Sequence, residues 1–105
     1  MASDTTDLFI IDIEYIKPLD AIDALIADHM AWVERGYADG VFLTSGRKDP
    51  RTGGIIIATG ATPEDIEKRA LNDPFVVNGA AKTTITRFLP SRFSEGLQAV
   101  FANAG

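Results

Sequence analysis

Ile55-Ile56-Ile57-Ala58-Thr59, entered through Gly53-Gly54, reads as a strand without a polar face. Successive strand side chains point to opposite sides of a sheet, so three consecutive isoleucines put apolar groups on both. A strand of this kind is usually covered on both faces. Just upstream, Val41 to Ser45 is a second short apolar strand, continued by Gly46. The polar turn Arg47 to Thr52, with Pro50, separates the two strands and makes them a hairpin. Just downstream, Thr62-Pro63-Glu64-Asp65 is a helix start. Threonine caps, proline takes the first helical position, and the acids suit the positive end of the dipole. Asp65 completes only a weak capping box, which prefers Glu or Gln at that place. Ile66, Ala70 and Leu71 give this helix its inner face, and Asn72 is expected to stop it in the left-handed conformation.

Further out, Leu8 to Ile16 reads as a strand with one apolar parity, Phe9, Ile11, Ile13 and Tyr15. Its other parity carries Asp12 and Glu14. An unpaired buried carboxylate is costly, so that face must meet water, a partner or a site there. Pro18 opens a helix with Asp20 and Asp23 in its early turns. Ile22, Leu25, Ile26, His29, Met30 and Val33 follow a helical stripe, and Gly36 or Gly40 ends the element. At the other end of the chain, Ala81 to Leu89 is a threonine-rich last strand closed by Pro90. Phe93, Leu97, Val100 and Phe101 then mark an amphipathic tail helix between Ser91 and Ala104. The division expected is a short flexible leader over 1–7, one domain over 8–90 and a helical extension over 91–105.

The order strand, helix, strand, strand, helix, strand is that of a ferredoxin-like α+β fold, βαββαβ, with an antiparallel sheet and an extra C-terminal helix. Both helices of such a fold lie on one sheet face. The apolar residues of Ile55 to Ile57 that point the other way form an interaction surface. A second copy about a two-fold axis covers it most simply, so the reading is a homodimer with sheets packed face to face.

With 105 residues the chain suits one domain. Apolar residues make up 46% and charged residues 24%, an ordinary globular composition. The net charge of −5 argues against nucleic acid and anionic membrane as partners, because both need a concentrated basic face. There is no cysteine, which removes disulfides, thiol nucleophiles and thiolate zinc sites and fits a reducing cytoplasm. A metal site is not expected with one histidine, and no calcium-loop spacing is present. Gly53-Gly54 lacks the spacing and ending of a phosphate loop.

One local instruction stands out beside the single histidine. In Leu71-Asn72-Asp73-Pro74-Phe75, proline pushes Asp73 out of the α region and presets a new turn, holding the carboxylate at a corner. A short helical turn and a glycine exit at Gly79 should follow. If the fold brings Asp73 to His29, the chain holds one carboxylate–imidazole pair.

Three segments carry a resemblance to a known family. His29-Met30-Ala31-Trp32-Val33 resembles the helical histidine segment of the YciI-like proteins. Gly40-Val41-Phe42-Leu43-Thr44-Ser45-Gly46 resembles their glycine-led second strand, and Asp73-Pro74-Phe75 with Gly79 their Asp-Pro-Phe signature. The likeness runs from about Leu8 to Pro90 and implies the dimeric α+β barrel superfamily. It implies an active-site pair, here His29 and Asp73. It also implies chemistry without a cofactor on a small lactone or carboxylate, by isomerisation, elimination or dehalogenation in the manner of muconolactone-processing relatives. Arg47 departs from the pattern, since many members have proline there.

Each candidate has a plain reading beside the functional one. His29 serves as acid or base near neutrality, or is an inert, hydrogen-bonded helix histidine. Asp73 orients His29, or caps the turn that starts at Pro74, and its two oxygens allow both. Ser45 and Gly46 bind a ligand at the end of the second strand, or simply end it. Arg47 and Arg51 grip a carboxylate, or are solvated in a loop. Tyr15 lends a phenol to a pocket, or lies in the core or rim, and Phe75 and Trp32 wall the cleft or fill the core. The competing function is therefore a non-catalytic ligand-binding or interaction module.

Overall fold

The computed structural model describes residues 7–97. Along them run β1 (Leu8–Tyr15), α1 (Leu19–Ala38), β2 (Phe42–Arg47), β3 (Gly53–Thr59), α2 (Pro63–Leu71), the single turn α3 (Pro74–Val77) and β4 (Ala81–Phe88). The four strands form one sheet in the order β2-β3-β1-β4, and each neighbouring pair is antiparallel. This is the ferredoxin-like α+β arrangement expected from the order of elements. Residues 95–97 are helical, and the remainder of the expected tail helix, with Val100 and Phe101, lies outside the described residues.

Strand parity builds the core. Ile11 lies opposite Ile56 on one side and Ile85 on the other, and Phe9 opposite Ala58. Phe9, Ile11, Ile13, Ile56 and Ala58 are buried against Ile22, Trp32 and Val33 of α1, Ile66 and Ala70 of α2, and Phe75 of α3. Full burial of a side chain such as Ile11 or Phe9 contributes about 1.5–3 kcal/mol, so this layer dominates the stability. The opposite parity carries half-buried Ile10, Ile55 and Ile57. There Asp12 accepts from Lys48 Nζ at 2.7 Å, and Lys82 stands 3.8 Å from Glu14. The two acids of β1 thus meet lysines on that face.

Several local expectations are corrected. Gly36 does not end α1. It lies inside the helix, buried, and a Cβ there would come within 2.1 Å of the Phe42 ring. The helix stops at Ala38, and Gly40 turns the chain at φ +75°. Asn72 is not left-handed: its φ is −92°. Among the described residues positive φ is confined to Gly40, Gly60 and Gly79, where no Cβ opposes it. The hairpin is also tighter than expected. Arg47 is the last residue of β2, paired with Gly54, so the glycines belong to β3 and only Lys48–Thr52 form the loop. The antiparallel ladder extends that far because Gly53 lets the β1 backbone approach; a Cβ there would sit 1.8 Å from the Ile13 carbonyl oxygen.

Candidate active site

Asp73 is set by the break between α2 and α3. Its backbone is extended, and its Oδ1 accepts from the Phe75 N–H at 3.0 Å, capping the short helix. The same oxygen lies 2.8 Å from His29 Nδ1, and the carboxylate is fully buried. An ionised carboxylate can only accept, so Nδ1–H is the donor to Oδ1. That fixes the imidazole proton on Nδ1 and leaves Nε2 with a lone pair. Among the described residues, Nε2 has no protein partner. Oδ2 of Asp73 is buried and makes no hydrogen bond.

The ring itself is clamped. Phe75 stacks on His29 with centroids 4.1 Å apart and planes 11° from parallel, and Tyr15 meets the Phe75 ring edge-on at 5.6 Å. Trp32 lies 5.6 Å from the imidazole but faces the core, where its indole N–H donates to the Arg69 carbonyl at 3.1 Å. It does not seal the histidine.

His29 opens onto a cavity of about 430 Å³ between α1 and the sheet. Its roof is the α1 stripe Ile26, His29, Met30 and Val33. The floor comes from one parity of three strands: Ile13 and Tyr15 of β1, Gly54 and Ile56 of β3, Ser45 and Arg47 of β2. Gly54, without a side chain, leaves the floor hollow beside Arg47. Ser45 shares a hydrogen bond of 2.7 Å with the Tyr37 hydroxyl. Arg51, from the loop, is tied to Asp23 of α1, and that hydrogen bond, more than the neighbouring Tyr15, raises the guanidinium pKa above its ordinary value. It therefore keeps its charge across the neutral range.

The structure brings together His29, Tyr15, Ser45, Gly46 and Arg47 on one cavity, with Asp73 behind the imidazole. Phe75 is a correction. It lies 1% exposed behind the ring rather than on the cavity wall, because the Asp73 cap starts α3 inward and drives its first large side chain into the core. Not foreseen were Gly54 as the hollow in the floor, the Tyr37–Ser45 bond and the Arg51–Asp23 tie. Parity in the Gly53-Gly54 strand was the one signal available for the first. No sequence signal marks the other two. Among the described residues no cluster of three or more His, Asp or Glu side chains is placed to hold a metal ion. No helix there is long and apolar enough to cross a membrane.

A four-stranded α+β domain with a carboxylate-backed imidazole at the edge of an apolar cavity is the class that fold and site define. The chain belongs to the YCII-related domain family, which matches residues 8–89. No curated protein matches it. Among solved structures, 5-chloro-2-hydroxyhydroquinone dehydrochlorinase from Burkholderia phenoliruptrix AC1100, in complex with 2,5-dihydroxybenzoquinone, is similar in fold. The TM-score is 0.64 at 22% identity, over 87% of this chain and 97% of that one. SnoaB, a cofactor-independent oxygenase from Streptomyces nogalater, superposes with a TM-score of 0.46 at 13% identity, over 86% and 98% of the two chains.

Proposed function

We propose that this protein is a cofactor-independent enzyme in which His29 and Asp73 move a proton on a small lactone or carboxylate. The observation that carries the reading is the direction of the imidazole. Its Nδ1 is bound to a buried carboxylate, and Nε2 is left on a cavity large enough for a small ring compound. Nε2 takes a proton from carbon next to a carbonyl, and Asp73 stabilises the imidazolium that forms. Returning the proton at another carbon gives isomerisation. Expulsion of halide from the neighbouring carbon, with its bonding pair, gives elimination or dehalogenation. A dehydrochlorinase with this fold supports the second outcome as compatible with the scaffold.

A second reading rests on one specific observation: Asp73 Oδ1 also caps α3. In a ligand-binding or interaction module the pair would only brace that turn. A panel of small lactones and carboxylates, with halogenated members scored for halide release, separates the two. For the enzyme, His29→Gln lowers turnover by about 10²–10⁴-fold, while ligand affinity stays within a few-fold. Binding without turnover in the wild type would sink the catalytic reading.

We also propose that two copies pair through the sheet face opposite the helices. Ile10, Ile55 and Ile57 on that face support it, and Phe88 at its border is 40% exposed. The lack of cysteine supports a reducing compartment such as the cytoplasm.

A further inference from the structure

The charges around the cavity do not contribute equally. Among the described residues two arginines line it, and no aspartate or glutamate does. Arg51 is already neutralised by Asp23, which α1 presents to it across the mouth. The Arg47 side chain forms no ion pair or hydrogen bond among the described residues. Strand parity nonetheless puts this exposed side chain on the helix-facing side of the sheet, at the rim of the cavity. Arg47 ends β2 opposite Gly54, two residues from Ser45, on the sheet face that also carries Ile13 and Ile56. Ile13, Ile26, Met30, Val33 and Ile56 make most of the remaining wall apolar, and Tyr15, His29 and Ser45 are its other polar side chains.

We infer that the substrate carries a single carboxylate on a small apolar body, and that Arg47 anchors that carboxylate while Asp23 withholds Arg51 from it. The inference rests on the proton-transfer reading of the same cavity. A guanidinium fork matches a carboxylate through two parallel hydrogen bonds, and a cavity wall without acids does not repel it. One free cation fits one negative charge. A dianion would leave its second charge against apolar wall or against an arginine already paired. Arg47 is a specificity residue here, and His29 keeps the chemistry.

The test uses the full chain and three probes: phenylacetate, its neutral counterpart phenylacetamide, and the dianion phenylmalonate. Affinities come from NMR titrations that follow the single histidine and the Gly46 and Gly54 amides. Phenylacetate should bind at least about tenfold more tightly than the amide. In Arg47→Gln that preference should fall to about one, with phenylacetamide affinity unchanged. Arg51→Gln should leave it intact. Asp23→Asn, which frees Arg51, should raise phenylmalonate affinity about tenfold. A preference that survives Arg47→Gln overturns the anchor, and so does the absence of phenylacetate binding. None of these affinities requires turnover. A His29 that proves inert removes the catalytic reading and leaves the anchor standing. Turnover of neutral lactones unaffected by Arg47→Gln does the reverse.

Discussion

Asp73 combines two tasks in one oxygen. Oδ1 accepts from Phe75 N–H and from His29 Nδ1–H, so the cap of α3 and the tautomer of the imidazole depend on the same atom. Substitutions should divide the tasks. Asp73→Asn keeps an oxygen for both donors and replaces an unpartnered Oδ2 by an unpartnered amide, a change of no more than about 1 kcal/mol. Asp73→Ala removes the cap and strands a buried ring N–H, costing about 2–4 kcal/mol. Urea unfolding of the two variants checks this, and equal losses would mean that the oxygen supports neither neighbour. Phe75 completes the arrangement by stacking on the ring, which limits its rotation about χ2.

At the level of elements, α1 and β2 meet through a glycine. Gly36 is buried in the helix against the Phe42 ring, which is also held edge-on by Trp32 and Tyr37. In an exposed helix, Gly→Ala stabilises by about 0.5–1 kcal/mol. Here the added methyl meets a ring that cannot swing aside, so Gly36→Ala should destabilise by about 1–3 kcal/mol. A fall in thermal midpoint checks the sign. The contact bears on the site, because the α1–β2 distance sets the width of the cavity between His29 and Ser45. Extension of β2 to Arg47 has a similar consequence. A loop arginine has no fixed side, whereas the pleat turns the last residue of a paired strand, though exposed, toward the helix-facing side.

For the whole molecule, the helices cover one sheet face and the other shows half-buried isoleucines with a Lys48–Asp12 pair among them. A protein of 11.3 kDa that pairs through this face should sediment at twice that mass. Ile57→Asp should yield a folded monomer, since the site opposes charge to apolar surface only in the pair. A monomeric wild type at micromolar concentration would count against the face-to-face dimer. Stable interfaces bury about 1,200–2,000 Å², and four strands of six to eight residues provide a face of the right order.

Element order, the core parity of β1, the Thr62 cap and the Asp73-Pro74 corner were all legible in the chain, because each depends on neighbours a few residues away. Backbone stereochemistry and the alternation of strand side chains are local, and they bring the fold class with them. The His29–Asp73 pair stood at the limit. Its two residues are 44 apart in the chain, and only the packing of α3 beneath α1 brings them to 2.8 Å. Everything that depended on a third element was decided by tertiary structure. Phe75 went behind the imidazole rather than into the cavity, Gly36 stayed inside α1 because Phe42 needed its space, and Arg51 was claimed by Asp23 while the Arg47 side chain was left without a partner among the described residues. Such outcomes follow from which side chains compete for the same volume or the same charge, and that competition exists only once distant segments share a surface.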